Sequence, residues 1–199
     1  MYEGVDTVIL NNELAYEDML PAAFKPLSRP LDPAAATALA DRNVRLLQVC
    51  AAIEEQGAVE RKDEASPHSA DLMRLEVKVN LLLDLMGQLL AAQTPRPRPT
   101  LVRFNAHSAQ WKALEPVRIG AHGILEIWLR DSLPQSLDLV INVTNILNDG
   151  LVKATVEPPG EAIADLIEKL AFRRHRRHVA GVRQPRRAGS ETGITRTLR

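Results

Sequence analysis

The chain has 199 residues but few aromatic or sulfur-containing side chains: 4% of its residues are aromatic, and Cys50 is its one cysteine. A single cysteine excludes an internal disulfide and a cysteine-based zinc site, and the helical pattern around it predicts a buried thiol. No apolar run reaches the about 18 residues that a bilayer span needs. The start, "MYEGVDTVIL", lacks the basic residues and long apolar core of a signal peptide. We therefore expect a soluble, cytoplasmic protein.

The chain also lacks net charge, with 25 basic residues against 25 acidic ones. The balance is uneven along the chain, however: residues 172–199 carry nine basic residues and one acidic residue. A neutral chain has no strong overall field toward nucleic acid. The basic end also lacks the interleaved aromatic residues on which bases stack. The sequence therefore disfavours a nucleic-acid-binding protein.

Residues that could form a catalytic or metal site are scattered. His175 and His178 are spaced to share one helix face, but arginines flank them and no acidic ligand is near, which disfavours a metal ion. His107 and Ser108 are neighbours in a predicted strand and so face opposite ways, which excludes a base–nucleophile pair. No glycine-rich phosphate loop is present. We predict a protein that is not an enzyme and that holds no metal and no cofactor.

Residues 34 to about 93 have a helical pattern. A first helix is predicted from Pro33 towards Gly57, and a second begins near Ser66-Pro67. Apolar residues of the second helix alternate at spacings of three and four, which is a heptad pattern. This pattern predicts an oligomerisation helix at about 68–93, although a helix packed on the core of its own chain fits equally well. The seam residues are Leu72, Leu75, Val79, Leu82, Met86 and Leu89.

After the linker "TPRPRPT" the hydrophobic period changes to two, which predicts β-strands. Strands are predicted in "GILEIWLR", "LDLVINV" and "LVKATVE", with "TLVRFNAHSAQW" as a fourth. Short strands separated by Pro, Gly and Asn/Asp clusters favour an antiparallel barrel or sandwich. A last helix is predicted after Pro159-Gly160, with a buried stripe made of Ile163, Leu166, Ile167 and Leu170.

The stretch "FRRHRR", residues 172–177, lies at the end of that helix or just beyond it. Favourable interaction with a helix C-terminus accounts for one or two of its arginines, but not for all. Guanidinium groups bind phosphates in a bidentate manner, so an anion site is a second interpretation. Phe172 would continue the buried stripe and order the stretch, whereas the residues after Gln184 are expected to form a flexible basic tail. The candidate anion ligands are Arg173, Arg174, Arg176 and Arg177.

The order of these parts resembles the PilZ domain, and more narrowly its atypical, tetramer-forming branch in xanthomonad-type bacteria. The stretches that carry the resemblance are "ELAYEDMLPAAF", "RLEVKVNLLLDLMGQLLAA", "LVRFNAHSAQW", "SLPQSLDLVINV" and "IEKLAFRRHRR". The resemblance implies an α+β fold, in which an antiparallel β-barrel contains an inserted long helical, coiled-coil segment and a C-terminal helix. The implied divisions are an N-terminal barrel segment (1–33), the helical insertion (34–93), the barrel with its last helix (94–182) and a basic tail (183–199).

PilZ domains are receptors for cyclic di-GMP, which they bind through an RxxxR element and a [D/N]xSxxG element. Here the residues before "ELAYEDML" contain no arginine, and the second element aligns with Arg103, Asn105 and Ser108. Both motifs are therefore degenerate. The resemblance implies a non-enzymatic adaptor in cyclic di-GMP-linked control of virulence or motility. It would form a homotetramer through a parallel coiled coil and use "FRRHRR" to contact an acidic protein partner. The alternative is a direct cyclic di-GMP receptor that uses the arginine cluster.

Overall fold

The structure is a computed structural model. It describes residues 8–59 and 95–182, together with the helical residues 74–75, 77–79, 81–83, 85–87 and 89 between them. Predictions for Leu72, for the side chain of Arg177 and for the tail 183–199 lie outside the described residues.

A closed antiparallel barrel of six strands forms the body of the described chain. Two short strands, β1 (Ile9–Leu10) and β2 (Glu13–Leu14), form a separate hairpin ahead of it. The barrel strands are β3 (Tyr16–Pro26), β4 (Pro99–Phe104), β5 (Ser108–Lys112), β6 (His122–Ile127), β7 (Leu137–Ile146) and β8 (Leu151–Val156). Their order around the barrel is β3-β4-β5-β8-β7-β6. The first half of β3 pairs with β4 and its second half with β6, so this one strand closes the barrel.

The period-two pattern predicted the inward-facing residues of the barrel correctly. Leu125 and Ile127 of β6 and Leu139 and Ile141 of β7 are buried in the core, while their neighbours along each strand are mostly less buried. At the end of "GILEIWLR" the expected alternation fails, because β6 ends at Ile127 and Trp128 is buried beyond it. The inward-facing residues of these strands were therefore predictable from the pattern, and the strand ends were not.

The prediction of one strand in "TLVRFNAHSAQW" is wrong, because the segment is a hairpin of β4 and β5. Asn105 makes the turn: its side-chain Oδ1 accepts hydrogen bonds from the backbone N–H groups of His107 (2.9 Å) and Ser108 (2.7 Å). Such side-chain-to-backbone bonds are the means by which Asn favours turns over strands. His107 therefore lies in the turn and not in a strand.

Two helices pack against each other and against the barrel: α1 (Pro33–Val59) and α2 (Glu161–Val182). Asp32 caps α1, because its Oδ1 accepts a hydrogen bond from the N–H of Ala35 (2.8 Å). Asn43 fixes α1 to β7 by bonding both backbone polar groups of Asp138, at 2.7 and 3.1 Å. The predicted helices are thus confirmed, with α1 ending two residues later than expected.

The buried stripe of α2 is confirmed for Ile163, Ile167 and Leu170, while Leu166 is half-buried. The prediction for Phe172 is wrong, because this side chain is 53% exposed. Since residues three and four apart share a helix face, the positions that follow Leu170 on the buried face are 173 and 174. Two arginines of the cluster therefore point toward the body of the protein.

The described residues between 74 and 89 are helical, and their large apolar side chains are exposed. Exposed fractions run from 46% to 66%, so the core of the same chain does not cover this face. Gly87 lies against the loop after β6, where a Cβ atom would be 2.5 Å from the carbonyl oxygen of Ser132. We call this stretch the heptad segment, and its nine exposed apolar residues are Leu75, Val77, Val79, Leu81, Leu82, Leu83, Leu85, Met86 and Leu89.

Candidate functional site

The two inward-pointing arginines of α2 pair with carboxylates of the body. Arg174 Nη2 lies 2.7 Å from Asp18 Oδ2 on β3, and its guanidinium carbon lies 5.9 Å from the centre of the Tyr16 ring. Arg173 Nη1 lies 3.9 Å from Glu54 Oε2 on α1. These contacts tie the end of α2 to the barrel and to α1. In this arrangement both guanidinium groups already have anionic partners.

Glu54 lies at the centre of this junction, and its side chain is 9% exposed. Its Oε1 accepts a hydrogen bond from Arg130 Nη2 at 3.1 Å, and its Oε2 faces Arg173. Arg130 follows β6, so one carboxylate joins both helices and the barrel. Breaking one partner of such a pair is costly, because a buried charge is left without compensation.

A polar cavity of about 140 Å³ lies at the same junction, and Cys50, Glu54, Arg130 and Arg174 are among its lining residues. Cys50 itself is fully buried, as predicted. Burial raises the pKa of the Cys50 thiol; Arg130 nearby acts in the opposite direction and Glu54 adds to the rise. The thiol is therefore neutral at physiological pH and unsuited to act as a nucleophile.

The residues aligned with the second nucleotide motif take part in contacts that hold the fold together. Arg103 on β4 forms an ion pair with Glu17, its cross-strand neighbour on β3. Asn105 and Ser108 are both 3% exposed. Besides capping the turn, Asn105 donates from Nδ2 to the carbonyl oxygen of Leu10 at 2.9 Å.

Ser108 completes this connection, because its Oγ accepts a hydrogen bond from Asn11 Nδ2 at 2.6 Å. Asn11 has a φ of 52°, a left-handed conformation that Asn tolerates better than most residues. The β1–β2 hairpin is thus fastened to the β4–β5 turn by Asn105 and Ser108. Their polar atoms are directed into the fold and not toward a ligand.

Two of the sequence-predicted site residues meet at β3, where Glu17, Asp18 and Arg174 line a pocket of about 320 Å³. Arg103 and Arg174 pair with adjacent residues of that strand, Glu17 and Asp18. Arg176 is exposed, which leaves it as the described member of the cluster most accessible from solvent. Among the described residues there is no group of three or more side chains suited to a metal ion.

Sequence reasoning missed the acidic partners, Glu54, Asp18 and Glu17. Glu54 was recoverable, because it lies four residues after the buried Cys50 and so shares its helix face. The partners on β3 were not, because the pairing of Glu17 with Arg103 joins strands that are far apart in the chain.

The barrel, its closing strand and the helix packed across it define an antiparallel β-barrel domain with a C-terminal helix. The family model for the atypical PilZ domain, described as a cyclic di-GMP receptor, matches residues 47–184, which is more than half of the chain. The chain therefore belongs to the atypical PilZ family, and the predicted resemblance is confirmed. It is a protein of cyclic di-GMP signalling.

The solved structures that match include one of a pathogenic protein from Xanthomonas campestris, described as a new tetrameric PilZ domain self-assembled via an unusual helical bundle. The two chains are 23% identical, with a TM-score of 0.68, and the match covers 88% of this chain and 96% of that chain. At this identity the likeness shows the fold, and it confirms the predicted α+β barrel. No curated protein matches the chain. Within the described part of the chain, no helix is long and apolar enough to cross a membrane.

Proposed function

We propose that this chain is a non-enzymatic regulatory protein of cyclic di-GMP signalling that works as a homotetramer and transmits the signal by contacting another protein. One observation carries the proposal: the heptad segment exposes nine large apolar side chains. Burying one such side chain fully is worth about 1.5–3 kcal/mol. A partner helix that covers the seam would therefore gain a large free energy, and a second copy of the segment is the complementary surface.

The tetrameric, helical-bundle description of the Xanthomonas campestris protein supports this assembly. The spacing of the seam residues suits a parallel helical bundle; they are Leu75, Val79, Leu82, Met86 and Leu89. The apolar residues beside the seam suit a bundle of more than two helices. The segment is followed by an anchor, because Arg96 donates to the carbonyl oxygens of Arg130 (3.4 Å), Asp131 (3.2 Å) and Leu133 (2.7 Å). In such an assembly each barrel would be held close to the base of the bundle.

The adaptor role is supported by the contacts of the candidate nucleotide-binding residues, which are already used within the fold. Asn105 and Ser108 are buried in structural hydrogen bonds, and Arg103, Arg173 and Arg174 are paired with carboxylates. The exposed Arg176 would belong to a basic surface for an acidic protein partner. Control of virulence or motility would follow from that contact.

The second candidate is a direct receptor for cyclic di-GMP that uses the arginine cluster. It is favoured by the family description and by the fact that Arg103 and Arg174 pair with adjacent residues of one strand, Glu17 and Asp18 of β3. A phosphate would have to replace Glu54 or Asp18 as the partner of an arginine. Such exchange is chemically sound, because guanidinium groups bind phosphate in the geometry that they use for carboxylates.

The assembly is tested by sedimentation of the wild-type protein and of the Leu82→Glu variant at micromolar concentration. We expect a tetramer for the wild type and monomers for the variant, with the β-sheet circular dichroism unchanged. Val49→Glu is the matched control, because it places the same charge at an exposed apolar position of α1. A monomeric wild type, or a Leu82→Glu variant that remains tetrameric, would contradict the proposal.

Adaptor and receptor are separated by calorimetric titration of cyclic di-GMP into the tetramer at physiological salt. The adaptor predicts no binding heat up to roughly millimolar ligand. Micromolar binding that is lost in Arg173→Gln and Arg174→Gln, but kept in Arg118→Gln, would establish the receptor instead.

A further inference from the structure

A second cavity, remote from the arginine cluster, opens at one end of the barrel. It encloses about 350 Å³ and lies between the end of β3, the end of β5 and the loop that leads to β6. Barrel mouths are frequent ligand sites, and functional pockets range from about 300 to 1,000 Å³. A barrel of six strands is normally filled by its own side chains, so space of this size has a specific cause.

Small residues create this space. Ala22, Ala113 and Ala121 line the cavity at positions where larger side chains would fill it. Gly123 acts indirectly, because a Cβ atom there would be 2.7 Å from the ring of Phe24. Without a side chain at position 123, the Phe24 ring lies beside Trp111, with 6.0 Å between their centres, and the two rings form one wall.

Trp111 gives the cavity a polar feature that the fold leaves unused. The side chain is 1% exposed, and its indole N–H has no hydrogen-bond acceptor among the described residues. The N–H is not among the fully buried polar atoms that lack a partner, so it keeps a small contact with solvent. A ligand oxygen inside the cavity can take the place of that solvent as the acceptor.

The rim of the cavity carries Glu115 and Arg118, both exposed and neither in an ion pair with another described residue. Their charges cancel, so the entrance has no preference for either sign. A single indole donor cannot offset the desolvation of a carboxylate in apolar surroundings, whereas it suffices for a neutral carbonyl.

We propose that the barrel mouth binds a neutral, mainly apolar small molecule with one carbonyl oxygen, which accepts a hydrogen bond from Trp111. The volume holds about twelve non-hydrogen atoms at roughly 30 Å³ each, the share of a water molecule in the liquid. The aromatic wall favours a ligand with a flat ring. This site is independent of the arginine cluster and of the heptad segment.

Three probes of nearly equal shape test the ligand chemistry: 4-phenyl-2-butanone, butylbenzene and 3-phenylpropanoate. They present a carbonyl, no polar group and a carboxylate, respectively. Titrations are followed by the two indole N–H resonances of the full-length protein, of which Trp128 is the internal reference. We expect a saturable shift of the Trp111 resonance alone, with the ketone binding more tightly than butylbenzene and the carboxylate binding weakest.

Two variants show where the probe binds. Ala113→Leu fills the cavity and should abolish the ketone shift, whereas Leu82→Glu in the heptad segment should preserve it. Trp111→Phe keeps an aromatic wall but removes the donor, so ligand-detected binding of the ketone should weaken about two- to tenfold while that of butylbenzene does not change. The proposal is overturned if the shift does not saturate, if it survives Ala113→Leu, or if the carboxylate binds more tightly than the ketone.

Discussion

Replacing Glu54 by glutamine tests whether the junction of α1, α2 and the barrel depends on one carboxylate. The change keeps the shape of the side chain but removes the negative charge that faces Arg130 and Arg173. Breaking a fully buried pair costs about 3–5 kcal/mol. Both arginine side chains are 27% exposed, so water compensates part of the loss. We expect a decrease of about 2–3 kcal/mol in the free energy of unfolding, which for a chain of this size lowers Tm by roughly 5–10 °C.

The measurement is urea unfolding followed by circular dichroism, with protein concentration held constant because assembly contributes to stability. Asp165→Asn is the matched control: it removes an exposed ion pair with Lys169 on α2 and should cost no more than about 0.5 kcal/mol. Adding Arg173→Gln to Glu54→Gln should recover part of the loss, since one of the two positive charges that faced Glu54 is then removed. A Glu54→Gln variant as stable as the Asp165→Asn control would refute the reasoning.

Two further perturbations examine the hairpin turn and the buried thiol. Asn105→Ala removes the acceptor of two backbone N–H groups and the donor to the carbonyl oxygen of Leu10. It should therefore lower the free energy of unfolding, measured by urea titration, by about 1–3 kcal/mol. An effect below about 0.5 kcal/mol would show that the turn forms without these hydrogen bonds. Burial raises the pKa of the Cys50 thiol above the 9.0 of a free thiol. As pH rises above 9.0, the unfolded chain loses the thiol proton before the folded chain does. The free energy of unfolding of the wild type should therefore fall as pH rises above this value. The Cys50→Ala variant should lack this part of the fall, and equal slopes for the two proteins would contradict the assignment.

The sequence was sufficient for the antiparallel strands and the two packed helices because their residues follow strict periods, whereas the barrel itself was implied only by the family resemblance. Alternation placed Leu125, Ile127, Leu139 and Ile141 on the inner surface, and the spacing of three and four residues placed Ile163 in the helix interface. These patterns arise from burial, which acts on every residue of an element and so repeats along it.

Features decided by a single side chain were not predictable in the same way. Asn105 turns the chain within a segment whose composition otherwise suits one strand, and Arg173 and Arg174 fall on the buried face of α2 only because α2 extends beyond them. The cavity beside Trp111 depends on the absence of side-chain volume at scattered alanines and at Gly123. No local sequence pattern indicates that small residues far apart in the chain will leave a cavity. The domain divisions and the role of the arginine cluster remain predictions.

The closing strand β3 also sets the order of events during synthesis. Tyr16 pairs with Phe104, so 88 positions separate the partners (104 − 16). At translation rates of about 5–20 residues per second, β3 waits roughly 4–18 seconds for its first partner strand, β4, to be made. During this interval the ribosome also makes the apolar heptad segment, so a nascent chain exposes an unpaired strand and an uncovered seam together. Yield in cells should therefore depend on how well these two surfaces are shielded before Phe104 emerges.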